Sequence, residues 1–181
     1  MIRLLSGTVF RKYPQMYHKY ERMGFNTPSK KVEIYSPQLE AQGKDGLPVY
    51  HEPGESPLGD PELARAYPLV LTTGAKLDCY VHSQMRNIPV LKKRMPQNVA
   101  EIHPESAAKY GVVDGDRIQV ETKRGVVRCM ACVTKDLIPG VVQLYHGFTD
   151  ANANHLIDNR ILDPITGSAA MSSAQCRIRK A

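Results

Sequence analysis

The stretch VAEIHPESAAKYGVVDGDRIQVETKRGVVRCMACVTKDLIPGVVQLYHG, residues 99–147, decides the fold. Val99 to Ile102 reads as a strand that His103-Pro104 ends, and Glu105 to Tyr110 carries helix formers with a carboxylate in the first turn. Gly111 stops that helix. Val112-Val113-Asp114-Gly115-Asp116 sets a tight turn, after which Ile118, Val120 and Thr122 alternate with Gln119, Glu121 and Lys123, the two-residue period of a half-buried strand. Arg124-Gly125 reverses the chain into a return strand over Val126 to Val133; Leu137 to Gly140 turns again into a last apolar strand, Val141 to Tyr145. Short strands at this spacing, with one small helix between the first two, predict a mostly β fold with short helices, closed into a barrel, because an open pair of hairpins would be marginal.

Working outward, the flanks differ. Before the barrel stretch, Tyr67 to Thr73 reads as a buried strand ending at Gly74, and a brief helix over Glu62 to Arg65 precedes it. From Met1 to Ala66 the prolines at 14, 28, 37, 48, 53, 57 and 61 leave room for few long elements. Within it, Lys31 to Tyr35 alternates like a short strand, Gln38 to Gln42 suits a helical turn, and Gly43 to Gly59 is a Gly/Pro-rich linker. The division predicted is therefore an irregular extension over 1–66 and one barrel domain over 67–181. After the barrel stretch come an Asn-rich segment to Ile157, a turn at Asp163 to Gly167 and a final edge strand over Cys176 to Arg179.

The chain has 181 residues and a net charge of +6, which favours an anionic partner. Its basic residues are dispersed except at Lys92-Lys93-Arg94 and over Arg177 to Lys180, and lack interleaved aromatics, so nucleic acid is not expected as a partner. No apolar run has membrane length, so no membrane insertion by this segment is expected, and Met1 to Leu5 is too short an apolar run for a signal peptide. The four cysteines include one CxxC, Cys129 and Cys132, whose members lie in a strand and point to opposite faces. No second CxxC exists, the six histidines have no metal-site spacing and no nucleophile elbow occurs, so no catalytic or metal residue is assigned. An autonomous hydrolase built on His82 and Asp78 lacks a nucleophile.

Chemistry concentrates after the first barrel strand. Lys76, Asp78, His82, Ser83, Gln84, Arg86 and Asn87 crowd one span following Thr73-Gly74, where backbone donors, a hydroxyl and a guanidinium can converge on a phosphate or a flat polar ring. A solvated loop with a capping serine accounts for the same composition. Asp150, Asn152, Asn154 and His155 form a second polar group; amides offer donor and acceptor to a heterocycle edge, and an Asn-rich turn is the plainer alternative.

These pieces, in order, resemble the C-terminal molybdopterin-dinucleotide-binding domain of the large molybdenum or tungsten oxidoreductases, the dimethyl sulfoxide reductase and formate dehydrogenase group. The likeness runs from about Tyr67 to Ala181. It is carried by Leu71-Thr72-Thr73-Gly74, by His82-Ser83-Gln84-Met85-Arg86-Asn87, by Ile102 to Ala107 with Gly111 to Asp116, and by Arg124-Gly125, Asn154-His155-Leu156-Ile157 and Asp163 to Gly167. Phe25 to Ser36 resembles the family's entry segment, in which Thr-Pro-Ser-Gly-Lys is common; Lys30 stands where that Gly would be. A second departure is Met171 to Gln175 before Cys176, where the family often carries Lys or Arg.

The resemblance implies a six-stranded double-psi β-barrel whose loops hold molybdopterin guanine dinucleotide bearing molybdenum or tungsten. Thr73, Gly74, His82, Ser83 and Arg86 would face a phosphate or pterin, and Asn154 a pterin edge. The implied partners are the N-terminal domains of a parent enzyme, which would carry any iron–sulfur cluster and the metal ligand, in a bacterial-type enzyme of the cytoplasm or periplasm. The segment itself is not expected to be catalytic. The competing reading is a stand-alone double-psi barrel that binds a nucleotide or a protein partner.

Overall fold

The computed structural model describes residues 16–160 and 162–181, together with the backbone of residues 4–5 and 8–9. The readings of the N-terminal end and of Pro14 lie outside the described residues. The chain forms two compact units, Met1–His51 and Glu52–Ala181.

In the first unit β1 (Leu4–Leu5) pairs antiparallel with β2 (Thr8–Val9), and two short helices follow, α1 (Lys19–Met23) and α2 (Pro37–Glu40). The second helix is the turn read near Gln38. Ser36 caps it by accepting a hydrogen bond from the Leu39 N–H, and Pro37 occupies the first turn, where its missing N–H costs nothing. The expected strand over Lys31 to Tyr35 does not form: these residues run through bends, with Val32 67% and Ile34 77% exposed. Alternation stabilises a strand only where a partner and a core face exist, and this segment has neither among the described residues. Lys30 has φ +60°, the left-handed conformation that a glycine adopts without a Cβ clash.

The second unit is built on a barrel. Its elements are α3 (Pro61–Ala66), β3 (Leu69–Thr72), α4 (Pro89–Arg94), β4 (Val99–Ile102), α5 (Pro104–Lys109), β5 (Arg117–Thr122), β6 (Gly125–Val133), β7 (Val141–Leu144) and β8 (Ala174–Lys180). The strands close in the interleaved double-psi order β3-β7-β4-β6-β5-β8, with β3 beside β7 and β4 beside β6 parallel and the other pairs antiparallel. The last strand is thus not the edge its sequence suggested. Leu69 to Leu71 of β3 pair with Ala174 to Cys176 on one side of β8, and Ile118 to Glu121 of β5 pair on the other. The helix α4 has no counterpart in the sequence reading: Pro89 sits in its first turn, and Lys92, Lys93 and Arg94 complement its carboxyl end.

Inward positions make the core: Leu71, Ile102, Ile118, Val120, Val142, Leu144, Leu156 and Cys176 have no exposed surface. Burying each of the large aliphatic side chains stabilises the fold by ~1.5–3 kcal/mol before entropy is counted. Strand alternation holds as read, with Ile118, Val120 and Thr122 inside. Cys129 lies against this core while Cys132, three residues on, faces the other way; burial pushes the Cys129 thiol up to about 12. A smaller cluster of Cys79, Tyr80 and Phe148 sits apart from the main core. Among the described residues no helix is long and apolar enough to cross a membrane.

Strand directions fix where the loops fall. The carboxyl ends of β3 and β7, the amino ends of β4, β6 and β8 and the β5–β6 turn share one end of the barrel. Residues 73–98 and 145–173, the two long connections, both start and finish there. Residues 52–60 are tied to the same end: Gln175 Nε2 donates to the Ser56 and Asp60 carbonyls at 2.7 and 3.1 Å. Glu55 also accepts from Arg124 Nη1 at 2.7 Å and Lys123 Nζ at 2.6 Å, and Arg124 Nε lies 3.1 Å from Asp158.

Two glycines turn the chain for different reasons. Gly115 has φ +80° and open space where a Cβ would go, so Gly115→Val should cost more than ~1 kcal/mol through the backbone alone. At Gly125 a Cβ would stand 2.7 Å from the His155 carbonyl oxygen, so Gly125→Ala should destabilise by pushing away the turn over 153–155. Urea midpoints test both, and an unchanged midpoint in either variant contradicts its reason. The Arg124 hydrogen bond holds the Glu55 carboxyl below its usual range. A depressed carboxylate stabilises the fold above its unfolded value and loses that contribution as pH falls through the folded one. Glu55→Gln should therefore lower the midpoint at pH ~7, with a difference that holds down to pH ~4 and shrinks as pH falls further.

Candidate functional site

The loop-bearing end of the barrel gathers the polar residues. Thr73, the first residue beyond β3, is buried; its N–H and Oγ1 donate to the Met171 carbonyl at 2.9 and 2.8 Å. Gly74 follows, facing Ser172 across the 145–173 loop. β7 runs parallel to β3 with Thr72 level with Gln143, so its continuation, Tyr145-His146-Gly147, emerges beside Thr73-Gly74. The Thr73 carbonyl accepts from His146 Nδ1 at 2.8 Å, and His146 Nε2 lies 2.6 Å from His82 Nδ1.

Arg86 ties the two loops together. Its Nε and Nη2 donate to the His82 carbonyl at 3.2 and 3.0 Å, and Nη2 also donates to the His146 carbonyl at 3.1 Å. Its guanidinium lies 4.1 Å from the Tyr80 ring centre and 3.7 Å from that of Phe148, two rings set edge to face. Burial lowers the Arg86 basicity, and its Nη1 is buried without a partner. Tyr80 in turn donates from its hydroxyl to the Met95 carbonyl at 2.9 Å, which fixes the ring on α4.

The backbone accepts strain to make this arrangement. His82 at φ +51° and Met85 at φ +67° are left-handed without being glycine. Gly147, at φ +86°, has no room for a Cβ, which would stand 3.0 Å from Arg86 Nη2 and from the His82 carbonyl group.

Ser83 and Asn87 stand further out, lining with Lys92, Gly147 and Asp150 an open cleft of about 450 Å³. Thr73, Gly74, His82, Ser83 and Arg86 are thus brought into one loop cluster. Asn154 is not part of it: it lies exposed in the 3-10 turn Ala153–His155, its N–H donating to Asn152 Oδ1 at 3.0 Å, beside the β5–β6 turn of the same barrel end. No hydrogen bond or ring contact among the described residues joins it to the cluster.

Sequence reasoning missed His146, Gly147 and Phe148. The available signal was the repetition of an apolar strand running into a residue and a glycine, once at Thr73-Gly74 and again at His146-Gly147. Among the described residues no group of three or more His, Cys, Asp or Glu side chains is placed to hold a metal ion. The site offers the Ser83 hydroxyl, the two N–H bonds of Arg86 Nη1 and the outer ring nitrogen of His82, suited to anionic oxygens and to the edges of a polar heterocycle.

Residues 69–175 match the sequence model of the molydopterin dinucleotide binding domain. Acetylene hydratase of Syntrophotalea acetylenica is 37% identical over 140 residues, 77% of this chain and 19% of that protein. The dimethyl sulfoxide reductase DmsA of Escherichia coli K12 is 40% identical over 131 residues, 67% of this chain and 16% of its own length. The solved structure of acetylene hydratase from Pelobacter acetylenicus superposes with a TM-score of 0.77 at 30% identity, covering 88% of this chain and 24% of that one. The chain thus spans less than a fifth of the length of these curated relatives. With the matched segment running from the first residue of β3 into β8 and enclosing both site loops, the chain belongs to the molydopterin dinucleotide binding domain family.

Proposed function

We propose that this domain forms one wall of the site for a pterin dinucleotide, in its guanine form, within a larger molybdenum or tungsten oxidoreductase. The other domains of that enzyme supply the remaining walls, the metal ligand and any iron–sulfur cluster. The observation that carries the reading is the convergence of both long connections at one barrel end, where the fold leaves a donor unused: Arg86 Nη1, buried and unpartnered, belongs to a residue lining a cleft that Ser83 and Lys92 also line. A donor left buried without an acceptor destabilises a fold by ~1–3 kcal/mol, so its retention fits a ligand that accepts there.

When bound, the cofactor supplies the redox chemistry through its metal and pterin. The residues of this chain bind and orient. Gly74, exposed, presents backbone close to the ligand, positioned by the buried Thr73, while His82 offers an imidazole edge and Ser83 a hydroxyl. Arg86 contributes the NH2 of Nη1 alone rather than a bidentate fork, because its Nε and Nη2 already hold the two loops. Asn154 approaches from the neighbouring turn with an amide that can pair donor to acceptor along a ring.

The parent enzyme, purified with Arg86→Ala or with Asn154→Leu, should contain on the order of tenfold less pterin and metal under limiting cofactor, the effect of one good hydrogen bond. Full pterin and metal content in both variants would contradict the assignment. This chain alone should bind the dinucleotide weakly, and tight binding by it would instead favour a stand-alone barrel.

A further inference from the structure

The geometry points to a one-proton relay in the His82–His146 pair, anchored on the Thr73 carbonyl and held in register by Arg86, with His82 Nε2 as its outer end. A carbonyl oxygen only accepts, so the 2.8 Å contact places a proton on His146 Nδ1. In the neutral ring His146 Nε2 is then the acceptor, and the 2.6 Å contact requires His82 to carry its proton on Nδ1. Both tautomers are set from the buried end outward. What remains is the lone pair of His82 Nε2, which has no hydrogen-bond partner among the described residues.

A proton taken up there comes from solvent or from a ligand atom, and no electron moves. His82 Nε2 becomes a donor, and the proton between the rings can stay on His82 or pass to His146 Nε2. The added charge is shared by two imidazoles, whose ring centres are 4.9 Å apart. A second proton has no place without breaking the bond between them. The groups that face the pair are Lys76 and Arg86, both cationic, with the phenols of Tyr80 and Tyr145. Asp150 favours the charged form of Arg86.

The outer end therefore switches between acceptor and donor with one proton. That property suits a nitrogen heterocycle whose ring atoms change protonation with redox state, an assignment of ligand that rests on the function proposed above. Arg86 is a positioning residue here: it fixes the two carbonyls that carry the rings, and the +51° φ of His82 depends on that hold.

The test uses the 181-residue chain, labelled with 15N, and two-bond imidazole correlation spectra from pH ~9 to pH ~5. His82→Asn, which tolerates the left-handed backbone, assigns the signals. The expected result is His146 protonated at Nδ1 throughout, His82 protonated at Nδ1 at high pH, and uptake of one proton by the two rings together. In His82→Asn the freed His146 takes up one proton by itself. Uptake of two protons by the native pair, or a neutral His146 protonated at Nε2, would overturn the relay.

Arg86→Gln should raise the uptake from one proton to two as the rings separate, and Arg86→Lys should not restore one, since an ammonium cannot span both carbonyls. A one-proton pair that survives in folded Arg86→Gln overturns the positioning role; if that variant fails to fold, the native chain decides the relay alone. These spectra need no cofactor, so their outcome is independent of the pterin and metal contents that test the function.

Discussion

The parallel pairing of β3 with β7, Val70 level with Val141 and Thr72 with Gln143, is the constraint on which the rest of the second unit depends. Parallel neighbours cannot be joined by a tight turn, so the chain between them must cross to the far side and return. Here that crossing carries β4, β5 and β6, and closing it leaves the barrel without a free strand. Because both strands run the same way, the residues that follow them emerge side by side. Thr73 and His146, far apart in the chain, become hydrogen-bonded neighbours as a result of strand direction alone.

Arg86 converts that proximity into a fixed shape. Its hydrogen bonds to the two carbonyls are charge-assisted, worth ~1.5–3 kcal/mol each. The contacts with Tyr80 and Phe148 are worth ~0.5–2 kcal/mol by comparison. The fork therefore dominates, and the rings chiefly exclude water from it, which strengthens it further. This balance explains how a loop can hold His82 and Met85 left-handed: the strain of ~1–3 kcal/mol for each is matched by bonds made only in that conformation. The same reasoning separates Lys30, where a left-handed residue lies in the first unit, in which no described residue is buried.

Much of the fold was legible in the sequence because its signals are local. Ile118, Val120 and Thr122 alternate, and Glu105 opens a helix that Gly111 ends, whatever the rest of the chain does. What was not legible is what partners decide. Lys31 to Tyr35 alternates just as clearly but has no strand to pair with among the described residues, and β8 reads as an edge because closure is set by the partners on both its sides. The site divides in the same way. The crowding of Thr73, Gly74, His82, Ser83 and Arg86 into one region follows from a loop after a strand. The use of Arg86 as a tie does not, since one of its acceptors belongs to His146, in the other loop.

Closure also governs how the barrel can be joined to other protein. A sheet with an edge can recruit a neighbour by adding a strand, an association stabilised by backbone bonds and tolerant of many sequences. This barrel offers no such edge. Any assembly around it has to be read through side chains and loop ends, so its choice of neighbour is written in individual residues and is open to change by single substitutions, while the barrel beneath stays as it is.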